Sequence, residues 1–301
     1  MNPDDTGSLL TFTLIPSISR GRVEIMITID ASDVASFARD GFLIKRGYFR
    51  PDEMAALLNS FNVDPAIHKR AYGVDDGQGG ATEIALWNEP GEDAFGAVAR
   101  GERLVRGAEK LLGGEVYHYH SKITMKRPGA GGTWVWHQDY GYWYANGCLR
   151  PDMLTVAIPL TPNNVANGCL NVLAGSHLMG RVDHGFVGHQ TGADPARVAE
   201  AEKRLPRVAF EAEPGDVMFF HSNTLHTSAP NRSDTDRHLL LVAYNTKAND
   251  PYLEHHHPRY SPINVLADSE ILARAGHHDG EARVFLDPAT DESIAGFETL
   301  A

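Results

Sequence analysis

The run Trp134-Val135-Trp136-His137-Gln138-Asp139 bears on both the fold and the chemistry of this chain. Trp134 to Trp136 is bulky, apolar and β-prone, so it reads as a strand, and the His-x-Asp stands at its end. On an extended segment, side chains two apart share a face. That predicts His137 and Asp139 pointing together while Gln138 points elsewhere. His226 offers a third ligand from a distant strand end, after Val217-Met218-Phe219-Phe220 and before the turn Ala229-Pro230-Asn231. Two imidazoles and one carboxylate form the facial set that holds ferrous iron and leaves the opposite face open. All three fall where a sandwich or barrel opens, the usual place for a site.

Eleven residues beyond His226, Arg237 begins the run Arg237-His238-Leu239-Leu240-Leu241-Val242-Ala243-Tyr244. Alternation places Arg237 on the face of Leu239, Leu241 and Ala243, which reads as interior. A guanidinium there needs an anion, because a buried unpaired charge is costly, and its planar fork matches a carboxylate. Ser228, two residues past His226, offers a hydroxyl to the same anion. A metal site beside an inward arginine is what a bidentate keto-acid cosubstrate requires.

Outward from these residues the chain divides by period. Before Glu115 it is helical: Asp33–Asp40 with Ser32 as N-cap, a helix opened by Pro51, and one helix from Phe95 to Leu112 stopped by Gly113-Gly114. Phe42-Leu43-Ile44 interrupts this as a short strand, and the polar, glycine-rich stretch Gly73–Gly80 reads as a loop. After Glu115, short strand-like runs follow one another: Val116–Lys126, Leu154–Leu160, Cys169–Leu173, Val208–Phe210, Asp216–Phe220 and His238–Tyr244. Helices first and strands afterwards predict an α+β, mainly β protein: one domain over residues 1–301, with a sandwich or barrel body and the helices packed outside. Residues 1–28 read as an N-terminal arm, 175–207 as a lid insertion that breaks the strand spacing, and 245–301 as a C-terminal extension.

A net charge of −12 argues against a sequence-independent grip on nucleic acid and points to a small-molecule partner. No apolar run reaches the length of a membrane span. The start lacks a basic secretory signal, so a cytoplasmic location is expected, with Cys148 and Cys169 as free thiols. A monomer or homodimer is expected.

Taken together, His137-x-Asp139, Asn167-Gly168-Cys169-Leu170 with Gly175-Ser176-His177, Pro214-Gly215-Asp216, and His226-x-Ser228 with Arg237 resemble the phytanoyl-CoA dioxygenase family. That family of iron(II)/2-oxoglutarate oxygenases includes ectoine hydroxylase, and the similarity runs from about Phe37 to Tyr244. The resemblance implies a double-stranded β-helix (jelly-roll, cupin-like) core. It implies His137, Asp139 and His226 as the catalytic ligands of Fe(2+), with O2 as co-reactant. Arg237 would bind the distal carboxylate of 2-oxoglutarate, assisted by Ser228. Further cosubstrate contacts would come from Ile123 and Arg127 on the strand Ser121–Arg127. Relatives carry a tryptophan on the strand before Asn-Gly-Cys where this chain has Ala157. Related halogenases replace the carboxylate ligand with a small residue, so Asp139 favours hydroxylation.

Other readings stand beside this one. Zinc on the same triad would make a hydrolase, but leaves Arg237 without a reason. A non-catalytic module that binds metal or 2-oxoglutarate is a further class. Gln138, Tyr140, Tyr142 and Trp143 flank the metal and are candidates for a substrate wall, with core packing as the plainer role. His118-x-His120 reads as a second metal pair or as packed strand histidines, and His255–His257 as a loop.

Overall fold

Asp30 starts the first helix, α1 (Ala31–Asp40), by accepting from the backbone N–H groups of Ser32 and Asp33, while Asp33 returns the bond to Asp30. The expected cap, Ser32, lies inside the first turn, because the aspartate two residues earlier supplies the capping box. The computed structural model describes residues 28–280, 283–290, 297, 298 and 300. The arm expected over residues 1–28 lies outside them but for its last residue.

After β1 (Phe42–Lys45), α2 (Pro51–Val63) starts on a proline and buries Met54, Leu57 and Phe61, as its apolar stripe predicts. The short α3 (Pro65–Arg70) leads into β2 (Tyr72–Asp75) and β3 (Ala81–Trp87). Here the expected loop over Gly73–Gly80 is corrected to a hairpin. Asp76 accepts from the N–H groups of Gln78 and Gly80 and closes the turn, while β2 is a polar edge strand with little apolar signal. The single helix expected over Phe95–Leu112 is in fact two, α4 (Ala94–Arg100) and α5 (Glu102–Leu112). The break has a tertiary cause. Leu266 inserts at Gly101, donating to Arg100 O and accepting from Glu102 N, each at 2.9 Å.

The β body follows in β4 (Val116–Lys126), β5 (Trp134–His137), the short helix α6 (Asp139–Trp143), β6 (Met153–Pro159) and β7 (Leu170–Leu173). Next come β8 (His184–Val187), β9 (Gln190–Ala193), α7 (Pro195–Glu202), β10 (Arg207–Ala209) and β11 (Val217–His221). β12 (His226–Ser228), β13 (Arg237–Thr246) and α8 (Glu270–Ala273) complete the order. The lid expected over 175–207 therefore contains a hairpin and a helix of its own.

Two antiparallel sheets face each other as a jelly roll: β1-β11-β6-β13-β4-β3-β2, and β10-β7-β12-β5. The larger sheet is buried on both faces, which is why its strands read as near-continuous apolar runs. Val156, Ile158, Phe219, Leu240 and Val242 pack under the helices. Their neighbours Ala157, Met218, Phe220, Leu239 and Leu241 meet Leu170 and Val172 of the smaller sheet and Phe210, one residue past β10. Both cysteines are free and buried, and among the described residues no helix is long and apolar enough to cross a membrane.

Burial also leaves several histidines neutral. Desolvation pushes His118, His184, His221 and His238 each down to about 4. A folded pKa below the unfolded one means that the unfolded chain takes up protons first, so acid favours unfolding. Unfolding free energy of the metal-free protein, measured by urea titration, is expected to hold steady above about pH 6.5 and fall as pH drops through the unfolded histidine range. Unchanged stability down to the folded values near 4 would contradict this burial.

Candidate metal and cosubstrate site

The third ligand reaches the first two through strand pairing. β12 lies between β7 and β5, with His226 directly opposite His137. The two imidazole centroids are 3.9 Å apart. His226 Nε2 lies 3.8 Å from Asp139 Oδ1, and one ligand atom from each residue falls within 4.8 Å of the others. All three are buried.

His137 and Asp139 converge by a different route from the one expected. β5 ends at His137, and Asp139 is the first residue of α6, so the pair does not share one extended segment. Gln138 is extended, at φ −113 and ψ 135, and the chain turns into the helix immediately after it.

Each ligand is held from behind. His137 Nδ1 lies 2.9 Å from Val135 O, and His226 Nδ1 lies 2.9 Å from Thr224 O. A carbonyl only accepts, so Nδ1 carries the proton in both rings and the Nε2 lone pair is free for a metal. Thr155, on β6, donates to Asp139 Oδ2 at 2.8 Å and leaves Oδ1 turned toward His226. Burial holds His137 well below the ordinary histidine range, with His226 adding to the effect. His226 is also lowered by burial, against the pull of Asp139. Neutral imidazoles and a carboxylate with one spare oxygen are the donor set that iron(II) requires, so the residues fit the ion.

The cavity beside the triad is lined by Lys122, Thr124, Phe220, Ser228, Arg237 and Leu241, among others. Arg237 is 2 % exposed. It donates from one terminal nitrogen to Thr124 Oγ1 at 2.9 Å, and its Nε has no partner. Burial lowers it to about 10, so it stays charged at neutral pH. Among the described residues no carboxylate pairs with it. A cavity with a buried, unpaired guanidinium at its wall fits an anionic cosubstrate.

Arg237 and Ser228 stand where the sequence placed them; Ile123 and Arg127 do not. Ile123 is fully buried under the helices, on the opposite face of β4. Arg127 is half exposed and pairs with Glu83 and Asp236. The face that meets the cavity carries Lys122 and Thr124, and the cause is a parity slip of one residue. The polar alternation Lys122, Thr124, Lys126 against Ile123 and Met125 was the available signal for it.

The substrate wall is also redrawn. Gln138 is fully buried, and its side chain bonds Gly180 O, Asn223 O and Val182 N. Tyr140 donates to Cys148 O, and Trp143 packs edge-on to Tyr119. None of the three lines the triad cavity. Tyr142 stays near it, with its ring 5.8 Å from His137 and its hydroxyl donating to Thr191 O. His118 bonds Ser121 and lies against Tyr244, whereas His120 stacks on His257. Within the His255–His257 loop, His257 is anchored on Asn88.

A jelly roll carrying a facial two-histidine, one-carboxylate triad beside a buried arginine defines an iron(II)- and 2-oxoglutarate-dependent oxygenase. The model of the family "Phytanoyl-CoA dioxygenase (PhyH)" matches residues 37–239, and the chain belongs to that family. It is similar to the ectoine dioxygenase of Bordetella parapertussis, at 30% identity over 236 residues covering 73% of this chain and 77% of that one. It is also similar to the L-proline trans-4-hydroxylase of Streptomyces griseoviridis, at 35% over 182 residues covering 55% and 66%. Among solved structures, EctD from S. alaskensis with bound Fe superposes with a TM-score of 0.67 at 25% identity, covering 79% of this chain and 88% of that one.

The Thr155 contact carries its own prediction. Thr155→Val keeps the shape and removes the donor, so metal affinity is expected to fall about ten-fold, with Thr155→Ser restoring it. Titration of the apo-protein with cobalt(II), followed by its visible spectrum, measures this. Equal affinities in all three proteins would show that Asp139 needs no such support.

Proposed function

We propose that this chain is a hydroxylase of a small-molecule metabolite, with iron(II) on His137, Asp139 and His226 and the distal carboxylate of 2-oxoglutarate on Arg237 and Ser228. When bound, iron and 2-oxoglutarate supply an oxidant that inserts one oxygen atom of O2 into a C–H bond, with release of succinate and carbon dioxide. The rest is the work of this chain's residues. His137 and His226 present fixed Nε2 lone pairs, and Thr155 keeps one Asp139 oxygen occupied. Phe220, Leu239 and Leu241 exclude water around the buried guanidinium.

The observation that carries this reading is Arg237, a buried cation beside the triad that pairs with no carboxylate among the described residues. A zinc hydrolase has no use for it. The relatives' names make cyclic amino-acid derivatives, ectoine and L-proline, the first substrates to try. The segment 175–207 serves as a fixed wall over the triad strand. Gln190 accepts from Val135 N, His184 accepts from Gln138 N, and Thr191 O receives the Tyr142 hydroxyl.

The test is anaerobic reconstitution with iron(II) and 2-oxoglutarate, then admission of air and assay of succinate against a panel of metabolites. A substrate-dependent rise in succinate, with a product one oxygen heavier, is expected. His226→Ala is expected to abolish turnover, and Arg237→Gln to raise KM for 2-oxoglutarate by about ten-fold or more. Turnover by zinc-loaded protein without 2-oxoglutarate consumption would overturn the reading.

A further inference from the structure

The turn between His137 and Asp139 is held from outside the sheet that carries it. β5 ends its ladder at His137, paired with His226, and Asp139 already belongs to α6. Gln138 occupies the cap position of that helix, yet its side chain makes no capping bond. A short helix without a cap has no local reason to begin at one residue instead of the next. A start one residue earlier or later redirects the Asp139 carboxylate, because successive helical residues point about 100° apart.

Ser222 O takes the Tyr140 N–H at 3.0 Å on one side of the turn. On the other side stands His184, the buried first residue of β8. Its Nδ1 lies 2.8 Å from Val182 O, which can only accept, so Nδ1 carries the proton. The Nε2 lone pair then receives the backbone N–H of Gln138 at 2.9 Å. The ring is also seated against the helix. A Cβ at Gly141 would lie 2.3 Å from His184 Cε1 and Nε2, so the first turn of α6 is built directly onto the imidazole. The Gln138 amide completes the attachment: it accepts from Val182 N and donates to Gly180 O and to Asn223 O, three residues before His226. Residues 180–184 are thus keyed to the one residue that separates two members of the triad.

We propose that His184 is a positioning residue for the metal site: by accepting from Gln138 N and filling the space beside Gly141, it fixes where β5 turns into α6 and hence where Asp139 presents its carboxylate. The inference rests on the proposed iron site and extends it to a histidine that is not a ligand. With its lone pair given to Gln138 N and its proton to Val182 O, the imidazole has nothing left to offer a metal. It acts only through the peptide it holds. The segment 175–207 thereby gains a second task beside walling the cavity, because its β8 strand carries the group that shapes the triad.

Titration of the full-length apo-protein with cobalt(II), followed by its visible spectrum, reads the ligand geometry without turnover. His184→Leu keeps the bulk and removes both bonds, and is expected to weaken cobalt(II) binding about ten-fold and to change the visible bands. His184→Gln, whose amide oxygen can accept from Gln138 N, is expected to recover most of the affinity and the wild-type bands. Gly141→Ala displaces the imidazole without altering it and is expected to match His184→Leu. Wild-type affinity and spectrum in either His184→Leu or Gly141→Ala would overturn the proposal, as would a loss in His184→Gln equal to that in His184→Leu. Should His184→Leu fail to fold, Gly141→Ala against the wild type carries the comparison. Wild-type cobalt(II) affinity in His226→Ala would instead overturn the metal site itself.

Discussion

The pairing of β12 between β5 and β7 is the interaction on which the site depends. It sets His226 across from His137 and brings Ser228 opposite Trp134 through an irregular register. Neither histidine is a ligand pair without it, because nearly ninety positions separate them along the chain. The pairing in turn depends on the smaller sheet packing against the larger one, where Leu170 and Val172 meet Phe220, Leu239 and Leu241. Burial of those side chains is therefore what holds the candidate triad together, through a backbone ladder that resists slippage when one face is buried.

The same burial explains the electrostatics. A wall of apolar side chains keeps the imidazoles neutral and leaves Arg237 charged with no carboxylate to pair with among the described residues. Water-exposed versions of these groups would differ little between bound and free states. In a low-dielectric cavity, the neutral imidazoles are ready for a cation and the guanidinium is ready for an anion. One enclosure thus prepares two opposite charges of ligand a few residues apart. The surrounding groups extend this division, with Thr155 and two backbone carbonyls behind the triad and Thr124 beside the arginine.

Much of this was legible in the order of residues, and the misses have a common form. His137, Asp139, His226, Ser228 and Arg237 carry their chemistry in their side chains, and alternation along β13 rightly put Arg237 inside with Leu239 and Leu241. Ile123 and Arg127 were misplaced because alternation along β4 defines two faces without saying which one meets the cavity. Gln138 looked free beside the metal, but Gly180, Val182 and Asn223 use up its amide. The helix expected over Phe95–Leu112 broke at Gly101 because Leu266, a distant residue, takes the hydrogen bonds there.

The sequence by itself determined which residues are chemically able to hold iron and a dicarboxylate, and that the chain passes from helical to strand period near Glu115. Those are local properties, set by side-chain identity and by repeats of 3.6 and 2 residues. Tertiary structure alone decided which face of β4 looks into the cavity and that Asp139 begins a helix instead of continuing a strand. Each of these is a matter of register between segments far apart in the chain. A shift of one residue reverses every face while leaving the local pattern unchanged, so only the packed molecule could choose between the two arrangements.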